Sequence, residues 1–340
     1  MELLNQRILD VPSLEGTRVA PVVSLILPCY NEQEVLPETT RRLLALLTEW
    51  KTSGQMAQGS GIFYVDDGSR DNTWPMIVGY AAEHKEIGGI KLSRNRGHQN
   101  ALLCGLMTAP GDVLISLDAD LQDDLEAIPK MVKAFTAGSE IVFAVRSKRT
   151  TDTWFKRTSA EAYYKLLEML GVQVVFNHAD YRLLSRRAVE TLRSYEETHL
   201  FLRGMVMQLG YQTSIVEFER AERFAGESKY PLRKMLGLAW QGVTSFTAYP
   251  LRLITGAGVV VSLGSMALAA WALFTRLFTD RALPGWASVV LPMYFLGGVQ
   301  LLSLGVIGEY LAKVYEASKK RPRFHVDRVV GKAFDGGQDV

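Results

Sequence analysis

Over the first 220 residues, short apolar and β-branched runs alternate with stretches whose apolar positions recur every three or four residues. The first pattern fits a half- or fully buried strand and the second an amphipathic helix. Strands are predicted at Val22–Leu27, Ile62–Asp66, Gly89–Leu92, Val113–Leu117 and Glu140–Ala144, and helices at Leu36–Glu49, Thr73–Glu83, Ala101–Thr108 and Glu126–Phe135. Such alternation implies an α/β fold, a mostly parallel doubly wound sheet with helices on both faces. In such sheets ligands bind beyond the carboxyl ends of the strands. After Ala144 the alternation weakens. Tyr163, Leu166, Leu167 and Leu170 give Trp154–Leu170 the spacing of one helix packed on the sheet, and Tyr211–Phe218 fits one further strand.

The last quarter of the chain has a different pattern. No residue is charged from Leu253 to Thr275 or from Ala282 to Gly308, and each run exceeds the roughly 20 residues that cross a bilayer. Ordinary buried core helices are shorter than either run, so two transmembrane helices are expected. Arg233, Lys234 and Arg252 precede them and Lys313, Lys319, Lys320, Arg321 and Arg323 follow, against Arg276, Asp280 and Arg281 between. That bias puts both termini in the cytoplasm with a short external hairpin. Pro231–Tyr249, mixing Leu, Trp and Phe with Arg and Lys, fits an interfacial helix at headgroup depth. The first twenty residues lack the features of a secretory signal.

Composition narrows the choice of function. The 340 residues carry a net charge of only +2, which gives no case for a nucleic-acid-coating protein, and 22% charged residues exclude a disordered chain. The two cysteines, Cys29 and Cys104, match no disulfide framework or zinc spacing and suit a reducing compartment. No Gly-x-Gly-x-x-Gly follows a strand, which disfavours a dinucleotide-binding dehydrogenase.

Polar clusters follow four successive predicted strands: Pro28-Cys29-Tyr30-Asn31-Glu32, Asp66-Asp67-Gly68-Ser69, Asn95-Arg96-Gly97-His98 and Asp118-Ala119-Asp120-Leu121-Gln122. In an extended segment, residues two apart share a face, so Asp118, Asp120 and Gln122 would point together. Two carboxylates and an amide oxygen suit Mg²⁺ or Mn²⁺ that takes its remaining ligands from water and a diphosphate. One Asp-x-Asp alone more often caps a helix or opens a turn. Its co-occurrence with polar clusters at neighbouring strand ends raises its weight. His98 is the histidine expected near this crevice; His84, His178, His199 and His325 lie apart.

The first, second and fourth of these segments, with Arg223-Phe224-Ala225-Gly226-Glu227-Ser228-Lys229-Tyr230 and the late Gly308-Glu309-Tyr310 before Lys320-Arg321-Pro322-Arg323, resemble the family 2 inverting glycosyltransferases of the A-type fold. Within that group the chain is similar to the polyprenyl-phosphate enzymes that include dolichol-phosphate mannose synthase and the bactoprenol glucosyltransferases, from about Val22 to Arg323. The resemblance implies that Pro28, Tyr30, Glu32 and Asp67 line the nucleotide pocket and that Asp118, Asp120 and Gln122 hold the metal. It puts Arg223, Ser228 and Lys229 on a mobile loop over the donor phosphates, Arg146 and Arg157 on the lipid phosphate, and Asp180 at an acidic active-site position. Cys29 departs from the usual small aliphatic residue, and His178-Ala179 from the usual Val-Gly.

The expected organisation is an extension at 1–20, a cytoplasmic nucleotide-sugar glycosyltransferase domain at 21–227, an interfacial region at 228–250, a transmembrane hairpin at 251–310 and a basic tail at 311–340. The expected reaction moves one sugar, with glucose from UDP-glucose favoured, to undecaprenyl phosphate at the inner membrane for cell-envelope or lipopolysaccharide modification. UDP-N-acetylglucosamine, a UDP-aminoarabinose derivative and GDP-mannose stay open. The partners implied are the UDP-sugar, the polyprenyl phosphate, the membrane and, by resemblance, three further copies in a tetramer. A processive synthase would need Gln-x-x-Arg-Trp and more membrane helices, and an inactive scaffold would show eroded carboxylates. Because an alkyl phosphate is already largely dianionic near neutral pH, no strong base is needed. Asp180 then orients an acceptor-side arginine, stabilises positive charge on the sugar, or is a structural partner of Arg182 or Arg186.

Overall fold

A computed structural model of the chain describes residues 19–146, 178–196, 202–218, 249–278 and 286–334. The chain divides into two units, the first comprising residues 1–164, 173–230 and 322–340 and the second residues 165–172 and 231–321.

The first unit is built on an eight-stranded sheet: β1 (Val23–Cys29), β2 (Gly61–Asp66), β3 (Ile87–Leu92), β4 (Val113–Ser116), β5 (Ile141–Arg146), β6 (His178–Ser185), β7 (Thr213–Phe218) and β8 (Val326–Val330), in the order β7-β5-β6-β4-β1-β2-β3-β8. β1 pairs in parallel with β2 and β4, β2 with β3, and β5 with β7, whereas β6 and β8 run antiparallel to their neighbours. The expected mostly parallel sheet is present, with two reversed strands that the hydrophobic pattern did not predict.

The helices of this unit are α1 (Leu36–Thr52), α2 (Thr73–Glu83), α3 (His98–Thr108), α4 (Ala127–Thr136), α5 (Arg186–Arg193) and α6 (Leu202–Gln208). In α1, Leu36, Thr39, Thr40, Leu43, Leu47 and Trp50 are buried, the stripe that a 3.6-residue period creates. Val23, Leu25 and Leu27 of β1 join that stripe and the buried faces of α2 and α4 in one core. Ile26 points the other way, against Gly105 of α3, so helices cover both faces, as a parallel sheet requires. Every residue of β1 and β2 is buried, giving a rigid centre from whose carboxyl edge the loops emerge.

The segment read as a basic tail contains β8, which closes the β3 edge. A 3₁₀ turn at Lys332–Phe334 follows, and Phe334 meets Phe63 edge to face at 5.0 Å. The predicted helix at 154–170 and the interfacial segment at 231–248 lie outside the described residues.

The second unit contains the long helices α7 (Tyr249–Phe278) and α8 (Trp286–Ser318). Both carry exposed large apolar side chains, among them Val260, Met266, Phe274, Met293, Leu301 and Leu311. Among the described residues, one stretch, Phe295–Ser318 with mean hydropathy 1.4, is long and apolar enough to cross a membrane.

Candidate active site

The first polar cluster leaves β1 at Cys29. Pro28 is buried on the strand, Tyr30 is exposed, and Asn31 takes a positive φ of 56° that turns the chain toward α1. This loop is tied to the one after β2: Asn31 N donates to Ser69 Oγ at 3.0 Å, Arg70 N to Asn31 Oδ1 at 2.9 Å, and Glu32 N to Thr73 Oγ1 at 2.9 Å. Gly68 sits at φ +72°, where an added Cβ would lie 2.7 Å from Asn95 N. A glycine is therefore required where the second and third loops touch.

Asp66 and Asp67 are both buried at the end of β2. Asp66 Oδ1 accepts from Ser69 N at 3.1 Å, and Asp67 accepts from Arg96 N at 2.6 Å and Gly97 N at 2.8 Å, just before α3. Burial raises both carboxyls above their ordinary range, and the bonds they accept offset this only in part.

The acidic loop after β4 is not extended. The strand ends at Ser116, and Leu121 adopts φ 58°, so the chain turns between Asp120 and Gln122. Gln122 N reaches back to Asp120 Oδ1 at 3.2 Å. A shared face of an extended segment therefore does not describe these residues; a turn gathers them instead. The loop is fixed by Thr39 Oγ1, which donates to Ala119 O at 2.8 Å, and by Tyr181 Oη, which donates to Asp124 O at 3.0 Å.

Among the described residues no three His, Cys, Asp or Glu side chains are grouped so as to hold a metal ion by themselves. Gln122 is 5% exposed, and its Oε1 has no hydrogen-bond partner among the described residues. An orphaned buried amide oxygen on a residue whose N–H already reaches Asp120 fits a partial donor set, which a hard cation completes with water and phosphate oxygens.

Asp180 reaches the same edge by topology. Because β6 is antiparallel to β4, with Ser116 opposite Arg182, its first residues lie at the end where β4 gives way to Asp118. Asp180 and Arg182 share one face of β6, and Arg182 is wholly buried with Nη2 3.3 Å from Asp180 Oδ1. Arg203 of α6 grips the same carboxylate from Nε at 3.1 Å and Nη2 at 3.3 Å. His98 Nε2, at the start of α3, lies 3.6 Å from Asp180 Oδ2 and 3.8 Å from Asp118 Oδ1. The histidine expected near the crevice therefore bridges two of its carboxylates.

Burial works against an ionised Asp180, but His98, Arg182 and Arg203 together hold it well below the usual carboxylate range. Burial likewise works against protonated His98, and its pairing with Asp180 and Asp118 overcomes this and raises it. Desolvation pushes Asp118 up, opposed by His98 and reinforced by Asp120 and Asp180. Arg186 instead donates to Gly111 O and Ala109 O, so Arg182 is the β6 partner of Asp180.

Arg146 closes β5 opposite Phe218. Arg157, Arg223, Ser228 and Lys229 lie outside the described residues. Arg203 is a site residue that the sequence did not single out, because its pairing with Asp180 is tertiary and has no local signal.

Residues 24–193 match the family model described as glycosyl transferase family 2. The chain belongs to that family. This glycosyl transferase is 43% identical over 309 residues to an uncharacterized glycosyltransferase, YkoT, of Bacillus subtilis strain 168, covering 90% of this chain and 91% of that protein. It is 36% identical to the prophage bactoprenol glucosyl transferase homolog of Escherichia coli K12, over 90% and 99% of the two chains. With the bactoprenol glucosyl transferase of Shigella phage SfV the identity is 37%, over 89% and 97%. As a family 2 member it is a sugar-transferring enzyme on a mixed α/β sheet.

Proposed function

We propose that this enzyme transfers one glucosyl unit from UDP-glucose to undecaprenyl phosphate, with inversion, at the cytoplasmic face of the membrane. The observation that carries the reading is the gathering of Asp67, Asp118, Asp120, Gln122 and Asp180 at one sheet edge in a chain that aligns nearly end to end with bactoprenol glucosyl transferases. The exposed apolar side chains of α7 and α8 support a membrane setting. Two spans and cytoplasmic termini follow from the uncharged runs and the flanking basic residues.

Chemically, the donor must be held, its leaving group stabilised and the acceptor aligned. Pro28, Tyr30, Glu32 and Asp67 form the nucleotide side. Asp67 fixes the backbone entering α3, which keeps that wall in place as the nucleotide binds. A divalent cation, Mg²⁺ or Mn²⁺, held by Asp118, Asp120 and Gln122 would offset charge growing on the departing nucleoside diphosphate. Arg223, Ser228 and Lys229 add donors to the diphosphate, and Arg146 and Arg157 clamp the lipid phosphate. That phosphate attacks the anomeric carbon directly as the bond to the diphosphate breaks, so a single displacement inverts the centre. Asp180, held ionised between three basic groups, is a fixed negative charge and not a proton acceptor.

The deciding experiment incubates purified full-length enzyme with undecaprenyl phosphate and labelled UDP-glucose, UDP-N-acetylglucosamine, a UDP-aminoarabinose derivative and GDP-mannose. One β-linked glucosyl lipid is expected. Preferential transfer from another donor overturns the sugar assignment, and transfer to no polyprenyl phosphate overturns the acceptor.

A further inference from the structure

We propose that Arg203 is a positioning residue that acts through Asp180, fixing the plane of its carboxylate beside the reacting sugar; the inference rests on the transfer reaction proposed above. Three elements distant in sequence meet on this one side chain: β6 carries it, α6 supplies Arg203 and α3 supplies His98. Arg203 addresses both carboxylate oxygens through two different nitrogens. Such a fork sets orientation as well as charge, which a lysine ammonium cannot do.

Charge balance does not account for the pairing. Arg182, wholly buried, already gives Asp180 a counter-ion on its inner side. Arg203, 35% exposed, and His98, 43% exposed, meet it from the more open side. His98 is shared with Asp118, whereas Arg203 grips both oxygens of Asp180, an arrangement that suits a carboxylate whose orientation matters. The fork is itself registered to the crevice: Gln99, next to His98, accepts from Leu202 N at 3.3 Å and ties the start of α6 to the start of α3. An ionised carboxylate locked there opposes the positive charge that develops on the sugar ring as the leaving group departs. That interaction is stronger in the transition state than in the ground state, so it acts on kcat and not on donor binding.

The test is a double-mutant cycle in the full-length enzyme, with Arg203→Ala, Asp180→Asn and the double variant assayed for glucosyl transfer and titrated with UDP-glucose. Arg203→Ala is expected to lower kcat by about 100-fold, as misplacement of a reacting-site group can, with the KM for UDP-glucose within about twofold. The double variant should be no slower than Asp180→Asn alone. Free guanidinium should speed Arg203→Ala but not the double variant, and Arg203→Lys should stay well below wild type. Should Arg203→Ala fail to fold, Arg203→Lys replaces it in the same cycle. Multiplying losses in the double variant, full activity of Arg203→Lys, or a change confined to KM overturns the inference while wild-type transfer stands. A wild type that transfers to no polyprenyl phosphate defeats the functional reading, and the positioning role falls with it.

Discussion

Arg182 and Asp180, two residues apart on β6, form an ion pair at 3.3 Å in which the arginine is wholly buried while the aspartate side chain keeps 14% of its exposure. Among the described residues Arg182 Nε and Nη1 have no hydrogen-bond partner, so the pair carries most of the compensation for a buried cation. Removing the anion from such a pair costs more than removing both charges together. Asp180→Ala is therefore expected to destabilise the first unit by about 3–5 kcal/mol. Arg182→Met leaves Asp180 paired with Arg203 and should cost less. Denaturant titration followed by tryptophan fluorescence checks the order; equal losses would show that the burial of Arg182 is compensated elsewhere.

The same pair gives stability a pH dependence of known sign. Asp180 has a folded pKa below its unfolded value of about 3.9. Its contribution is therefore complete above that value and is lost as pH falls through the depressed folded pKa. His98, raised by its pairing with Asp180, adds to this contribution as it protonates, so the gap in Tm between wild type and Asp180→Asn should grow from pH 7 to 5 and then narrow below about pH 4. A gap that keeps widening below about pH 4 would mean that Asp180 is not held ionised in the fold.

How far these features were legible from sequence depends on whether the signal is local. β1 to β5 and the helices between them declare themselves because each buries one period of apolar residues. β6 hides because Asp180 and Arg182 alternate with the core residues Tyr181 and Leu183, so a buried ion pair breaks the apolar run that would have marked a strand. β8, with Asp327 and Arg328 among three valines, looks like tail until β3 is beside it. Asp67, Asp118, Asp120 and Gln122 stood out as strand-end residues, whereas the turn at Leu121 and the grip of Arg203 on Asp180 are tertiary facts with no spacing to reveal them.

The returning β8 should be a structural clamp. Gly331 takes φ +107°, and an added Cβ would lie 2.3 Å from Ile87 O, so Gly331→Ala must push the backbone off β3. Phe334→Ala removes the ring that packs on Phe63. Losses of about 2 kcal/mol or more are expected for each. Hydrogen exchange of the β3 amides should rise with them; unchanged protection would show that β3 holds its edge unaided.

Gln122 offers a way to separate a ligand from a structural side chain. A buried amide oxygen without a partner costs roughly 1–3 kcal/mol in desolvation, so if Gln122 served only the fold, replacing it with an apolar residue of similar size should be neutral or stabilising and leave activity intact. If Oε1 binds the cation beside Asp118 and Asp120, Gln122→Leu should keep or raise Tm yet require more than about tenfold higher Mn²⁺ for half-maximal transfer, as for the loss of one ligand from a site otherwise completed by water and diphosphate. Asp120→Ala, which removes a charged ligand at a loop and no core volume, should reduce kcat by at least about 100-fold with the fold retained. Excess EDTA should silence the wild type and added Mg²⁺ or Mn²⁺ should restore it. Full activity of the wild type in EDTA, or of Gln122→Leu at low Mn²⁺, would remove the cation from this loop and leave Asp118 and Asp120 as partners of His98 and the turn alone.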